Sequence, residues 1–369
     1  MAFSFWEDNY YSSSRSIVVI GAGITGLSTA ISLKEKDANR QVVVIDRFLP
    51  AHGASTKNAG FVCFGSPSEL IDDLSHMTEE ACKDIIKMRW KGAAILKERL
   101  QSKGYAPEAN GGYELYTNKN LISNEKLAMV NTLMEQSIGI AGYFERGEQN
   151  NFPRLSSQCI FMPHEAQINP MTMMHHLMDI AQHIGVKFIF GHEVTGFDFD
   201  EHQVMLSNGE GIAYESLGIT TNGFTRRLLP HIDVHAARNQ VLMTNEIPDL
   251  RWQGVYHFDK GYYYFRRYGN RILLGGARNK DLETEMTDEF GNSLIIMDEL
   301  TSFLEENILG HNHYTIEKWW SGILGIGPSK YPILEEVEKD AFVAVRLGGM
   351  GVAIGSLLGE DLSKKLMSR

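Results

Sequence analysis

Cysteine is scarce. The chain has three in 369 residues, Cys63, Cys82 and Cys159, an odd and scattered set with no metal-ligand spacing. A disulfide framework is excluded, and a reducing compartment is expected. Long apolar runs are missing as well. No stretch approaches the roughly 20 residues that a membrane-spanning helix needs, and the first 15 residues, MAFSFWEDNYYSSSR, hold no apolar core of signal-peptide length. The expectation is a cytoplasmic protein without a transmembrane segment. Basic excess is also absent: 35 Lys+Arg against 46 Asp+Glu leave a formal charge of −11. An acidic surface repels a phosphate backbone, so nucleic acid is not an expected partner. There is no internal repeat or low-complexity tract. What remains, 43% hydrophobic and 22% charged, is ordinary globular chain, long enough for two domains.

The most informative stretch is 16–47, SIVVIGAGITGLSTAISLKEKDANRQVVVIDR. The apolar run at 17–20 is short and β-branched, which predicts a buried strand. Gly21, Gly23 and Gly26 follow in the G-x-G-x-x-G spacing: the first for a tight turn, the second for close approach to a pyrophosphate, the third for helix–strand packing. From Thr25 to Lys36 the chain reads as helix, whose N-terminal amides favour phosphate charge, with Ile24 and Thr25 as cofactor-binding candidates. A second buried strand at 42–45 ends in Asp46 and Arg47. Asp46 stands about 20 residues past the last glycine, where a carboxylate accepts from ribose hydroxyls. The alternative is an ordinary strand–turn–helix with Asp46 as a solvated turn residue.

Further along, the aromatic lead (Phe3, Phe5, Trp6, Tyr10, Tyr11) is expected to dock on the body. Residues 47–70, rich in Gly, Ser and Ala, read as an extended loop packed against something. Helices are expected over 78–103, 123–138, the stretch from Pro170 to Gly185, 286–308 and the C-terminus, with short strands at 111–116, 187–190, 193–200 and 217–221. From 234 to 277 strands follow one another without helices, which predicts a separate antiparallel sheet.

Taken together, seven segments resemble the D-amino-acid oxidase family of flavoproteins. They are GAGITG with Asp46, GASTKNAGF at 53–61, INP at 168–170, TTNGF at 220–224, GYYYFRRYGNRILLGGAR at 261–278, WSG at 320–322 and GGMGVAIG at 348–355. The resemblance implies an α/β chain: a Rossmann-type FAD-binding domain (1–80, 151–225, 318–369) interleaved with an antiparallel-sheet substrate domain (81–150, 226–317). It implies FAD, for which an unphosphorylated ribose suits Asp46. The loop residues Ala54, Ser55, Thr56, Asn58, Ala59 and Gly60 would lie along the flavin and pyrophosphate, with Ser55, Thr56 and Asn58 as donors. Val194 would meet adenine through backbone, and Thr221, Asn222 and Gly223 would pass near the dinucleotide. Gly322 and the second glycine turn, Gly348, Gly349, Met350 and Gly351, would face the flavin. Arg346 is either a flavin neighbour or a surface arginine.

Departures from the family pattern narrow the chemistry. Covalently attached relatives use a Cys after WxG or a His in the first loop, and neither is here, so the flavin is expected to be non-covalent. The carboxylate-binding Arg expected after WxG is replaced by Ile323-Leu324. Arg278 is the replacement candidate, with a structural salt bridge as its alternative. By family register Tyr263 would face the pocket with Met350; the alternative is packing. No Lys stands at 272–274, where the family's oxygen-activating lysine falls. His164, His175, His176 and His257 read as ordinary histidines, and no metal site is legible. The expected function is FAD-dependent oxidation of the C–N bond of an amine or amino acid, by hydride transfer to flavin N5 and hydrolysis of the imine, with oxygen or another carrier as electron acceptor. A 2-hydroxy-acid dehydrogenase on the same fold, and a flavin-binding protein without turnover, remain alternatives.

Overall fold

The computed structural model describes residues 3–11, 16–48, 52–310 and 313–368. Two large sheets organise the chain. The first has six strands, in the order Ile333–Glu338, Ala341–Val345, Ser216–Ile219, Ile17–Ile20, Val42–Asp46 and Lys187–Phe190. All neighbours are parallel except the pair formed by the first-named edge strand. The central strand Ile17–Ile20 is apolar and buried at every position because both faces are covered. Ile17 and Val19 pack beneath helices, while Val18 and Ile20 pack against a small three-stranded sheet spanning 194–213.

Helices Ile24–Lys36, Glu79–Gln101 and Gly351–Met367 are among those that share the core of the first face. They approach through glycines. A Cβ at Gly359 would lie 2.6 Å from the Thr25 carbonyl oxygen, and one at Gly92 would lie 2.2 Å from that of Ala353. Gly355 lies against Ile24 in the same way. This contact sets the N-termini of the first and last helices side by side at the carboxyl end of the sheet.

The second sheet has eight strands, in the order Ile316–Ile326, His235–Thr244, Arg271–Gly276, Tyr263–Tyr268, Val255–Phe258, Gly112–Leu115, Gln158–Met162 and Glu145–Glu148. It is antiparallel apart from the pair Val255–Phe258 and Gly112–Leu115. Helix Leu294–Phe303 and the π-turn Leu304–Leu309 cover one face, packing on Tyr256, Phe265, Ile272 and Leu274. The fold is therefore the expected α/β class, a Rossmann-type parallel sheet beside an antiparallel one.

Helix Glu79–Gln101 shares its core with the six-stranded sheet, while strand Gln158–Met162 belongs to the eight-stranded one. We therefore propose the discontinuous division given above with these two segments exchanged. No helix among the described residues is long and apolar enough to cross a membrane.

Three local expectations change. The helix expected over 286–308 begins only at Leu294, because Gly291 takes a positive φ (144°) and Gln240 binds the Ser293 amide. Within the supposed extended loop stand a helical turn, Ala54–Lys57, and a helix, Pro67–His76, that carries proline in its first turn. Residues 49–51 of that loop lie outside the described residues. The lead forms a helix, Phe5–Tyr11: Phe3 and Tyr11 pack on the body, but Phe5 and Trp6 are 71% and 78% exposed.

Candidate functional site

A first cavity of about 320 Å³ opens at the carboxyl ends of the parallel strands, where ligands bind in open α/β sheets. Gly21 turns the chain out of the first strand with φ 102°, and a Cβ at Gly26 would lie 1.8 Å from the Gly21 carbonyl oxygen. Only glycine lets the helix start that close. Gly23 lines the cavity, and a Cβ there would lie 3.0 Å from Ser55 Oγ, which accepts from the Ile24 amide at 3.0 Å. No other side chain caps this helix, and none caps Gly351–Met367. Both helix starts therefore offer amides to one space. Thr25 lines it too, and its Oγ1 is buried without a hydrogen-bond partner among the described residues.

Asp46 closes the second strand. Its Oδ2 accepts from the Ala22 amide at 2.8 Å and its Oδ1 from the Phe48 amide at 2.9 Å. Burial nonetheless holds its carboxyl above the usual range, against those two bonds. Arg47 stacks on Phe224 at 4.3 Å and pairs with Glu193 at 3.0 Å, walling the same end. A site with uncapped amides, a missing Cβ, an orphaned hydroxyl and an acceptor at the second strand fits an adenine dinucleotide.

A second cavity, of about 340 Å³, shares Ala54, Asn58, Leu324, Gly349 and Val352 with the first. The loop at 54–60 forms the partition and is fixed from both sides. Trp320 Nε1 donates to the Lys57 carbonyl at 2.8 Å, and Arg266 Nε donates to that of Ala59 at 2.6 Å. Gly60 is required there, since a Cβ would lie 2.0 Å from the Ile168 carbonyl oxygen.

The polar groups of the second cavity divide into partnered and unpartnered. Lys330 is held by Glu69 (2.9 Å) and Asp73 (2.6 Å), and Lys260 by Asp72 (2.6 Å). Arg278, thrown out of strand Arg271–Gly276 where Ala277 takes φ 57°, has no ion-pair partner among the described residues. Tyr264 accepts from Asn239 Nδ2 at 2.9 Å, which leaves its own proton to donate, and Asn239 Oδ1 is buried without a partner. His257 Nε2 lies 2.8 Å from Glu165 Oε2.

Of the residues singled out in the sequence, Gly21, Gly23, Ile24, Thr25, Asp46, Arg47, Ala54, Ser55, Asn58, Val194, Thr221, Asn222, Gly349 and Gly351 line the first cavity. Ala59, Gly60, Arg278, Gly322, Gly348 and Met350 line the second. Gly26 and Gly223 instead serve close packing, the latter against the Leu324 carbonyl. Thr56 lines neither cavity, and its hydroxyl turns to the Gly53 carbonyl.

Three assignments are corrected. Tyr263 points away from the cavity: its ring stacks on Phe303 at 4.4 Å and its hydroxyl donates to Glu299. Strand parity gives the cavity to Tyr264 instead. Arg346 also turns away, its Nε donating to the Tyr331 carbonyl at 3.0 Å and its Nη1 to that of Asp233 at 2.9 Å. Asn58 reaches the cavities but spends its side chain on its own loop, donating to Ala54 and Ser55 and accepting from Gly60.

The sequence reading missed Asn239, Tyr264, Glu165 and Lys330. Only Tyr264 carried a signal there, since it shares strand parity with the loop-binding Arg266.

The chain matches the FAD-dependent oxidoreductase model named DAO over residues 16–365. A bifunctional protein ThiO/ThiG from Trichormus variabilis is 24% identical over 332 residues, which cover 87% of this chain and 48% of the relative. The chain thus spans about half the length of the curated relatives it matches. Among solved structures, L-proline dehydrogenase from P. horikoshii superposes with a TM-score of 0.78 at 15% identity, covering 96% of this chain and 94% of that one. Glycine oxidase from Geobacillus kaustophilus gives 0.75 at 18%, with 95% and 94% covered. Iminodiacetate oxidase from Chelativorans sp. BNC1 gives 0.74 at 17%, with 96% and 95% covered. The family match, the fold and the dinucleotide-shaped cavity agree: the chain belongs to the DAO family of FAD-dependent oxidoreductases.

Proposed function

We propose that this protein holds FAD non-covalently and oxidises the C–N bond of an amine or amino acid. The observation that carries the reading is the meeting of two cavities at Leu324 and Gly349, one with the features that suit a dinucleotide and one lined by Asn239, Tyr264 and an arginine with no ion-pair partner among the described residues. The compared structures are named for glycine, proline and iminodiacetate, each an amino compound with a carboxylate.

In this reading Asp46 takes the ribose hydroxyls, and the amides after Gly21 take the pyrophosphate together with Ser55 and Thr25. The start of helix Gly351–Met367 faces the flavin. When bound, FAD supplies the hydride acceptor that turns a C–H beside nitrogen into an imine, which water hydrolyses. Arg278 takes the substrate carboxylate, which its planar fork matches. Asn239 Nδ2 holds the Tyr264 hydroxyl, which is left to donate into the same space. Phe61 and Met350 limit water at the cavity. Cys63 lines it as well, and burial pushes its thiol well above the ordinary range, which disfavours the reactive thiolate.

The test is an anaerobic titration of the purified yellow protein with glycine, L-proline, iminodiacetate and 2-hydroxyglutarate. Bleaching by one or more of the amino compounds supports the reading. Bleaching by the hydroxy acid alone, or by none of the four, overturns it.

A further inference from the structure

Three groups from separate elements meet at the wall of the second cavity: Cys63 after strand Phe61–Val62, Glu165 before strand Ala166–Gln167, and His257 in strand Val255–Phe258. Their donor atoms lie within 4.8 Å of one another, and all three residues are buried. Glu165 is fully buried, and its Oε1 has no hydrogen-bond partner. The function proposed above gives this cluster no task.

The arrangement fixes the tautomer of His257. A carboxylate only accepts, so Nε2 carries the hydrogen in the 2.8 Å bond to Glu165, and Nδ1 of the neutral ring keeps its lone pair. Nδ1 makes no hydrogen bond among the described residues, and His257 itself lines the second cavity. A ring with one nitrogen on a buried carboxylate and the other lone pair facing a substrate-sized space is the arrangement of an oriented general base.

Resting on the reading of the chain as an amine oxidoreductase, we propose that His257, oriented by Glu165, takes the proton of the substrate ammonium in the second cavity. The N–H bond breaks with its electron pair left on nitrogen, and the proton forms Nδ1–H. The resulting imidazolium is balanced by the Glu165 carboxylate. The amine is left neutral, the only form whose lone pair can assist loss of the neighbouring hydride.

The charges around His257 favour this. Desolvation, the largest single influence, disfavours the imidazolium, but Glu165, Glu114 and Glu69 together outweigh it, and the ring holds its proton more tightly than a free histidine. Glu114 is itself bound by Ser66, Ser68 and Tyr116, and Glu69 is offset by Arg89 and Lys330. Cys63 is a neutral thiol, and Tyr264 is a neutral phenol whose ionisation burial opposes. A metal ion is the competing occupant. Two ligand atoms on tetrahedral zinc stand about 3.3 Å apart at ordinary bond lengths, wider than the direct hydrogen bond seen here.

The experiment is the pH dependence of kcat/KM for the holoenzyme, using whichever of glycine, L-proline and iminodiacetate bleaches the flavin. Wild type should show a limb rising with pH through an apparent pKa above about 6.5, the ordinary histidine value. His257→Asn should lose that limb and about 10²–10⁴ in kcat/KM, with FAD content unchanged. Glu165→Gln should move the limb to lower pH, a shift that a merely structural role would not produce. A His257→Asn enzyme that keeps the limb and the rate, or stoichiometric zinc in the purified protein, overturns the proposal alone. Failure of all three amino compounds to bleach the flavin overturns it together with the function on which it rests.

Discussion

Tyr263 and Tyr264, neighbours in one strand, face opposite sides of the eight-stranded sheet. Tyr263 lies against Phe303 in the core, and Tyr264 lies over the second cavity beside Asn239. Their hydroxyl deletions should therefore separate cleanly. Tyr264→Phe should lower kcat/KM by about tenfold, the worth of one ordinary hydrogen bond of about 1.4 kcal/mol, without changing the melting temperature much. Tyr263→Phe should leave steady-state kinetics alone and lower the melting temperature by about 2 °C, as expected for about 1 kcal/mol in a chain this long.

Gly23→Val places a branched side chain where the backbone lines the first cavity and where even a Cβ would lie 3.0 Å from Ser55 Oγ. The purified variant should fold but come out colourless. Wild type should be yellow and should give up intact FAD on acid precipitation. Absorbance at the flavin band per protein measures both, and colour retained in the wild-type pellet would contradict non-covalent binding.

Arg278 is a cation lining the second cavity with no ion-pair partner among the described residues. Arg278→Ala should raise KM for a carboxylate-bearing amine by about 10²-fold, the loss of a charged hydrogen-bonded contact of up to about 3 kcal/mol. An uncharged amine of similar size should hardly be affected. Steady-state kinetics on such a pair decides it: equal losses on both would make Arg278 structural.

Glu69 joins buried Arg89 at 3.0 Å and Lys330 at 2.9 Å. Burial alone would raise its carboxyl, but the two cations outweigh it and hold it well below the usual range. A carboxyl depressed in the folded state adds stability that is complete above its unfolded value, about 4.3, and lost as pH falls toward the folded one. Glu69→Gln should therefore cost stability at pH 7, by about 3 kcal/mol, because Arg89 is left buried without its counter-charge. The difference from wild type should shrink as pH drops below about 4. Thermal melts of both proteins from pH 3 to 8 measure the gap.

The missing lysine at 272–274 is a weaker restriction than it looks along the chain. Lys57, Lys260 and Lys330 reach the second cavity from three other segments.

The sequence by itself determined the dinucleotide half of the molecule. Gly21, Gly23, Gly26 and Asp46 lie within one continuous βαβ unit, so their spacing is a local code, and backbone sterics at each glycine make that code strict. The second glycine turn was legible for the same reason. What only the tertiary structure decided is the substrate side. His257 and Glu165 are 92 residues apart yet share a hydrogen bond at 2.8 Å, and Asn239 meets Tyr264 across 25 residues. The second pair is fixed by strand order and register in the eight-stranded sheet, where a shift of one residue exchanges the faces, as it does between Tyr263 and Tyr264, and Glu165 reaches His257 from the turn before Ala166–Gln167. No local propensity records that register, because it is set by which strands lie beside one another once the core has closed.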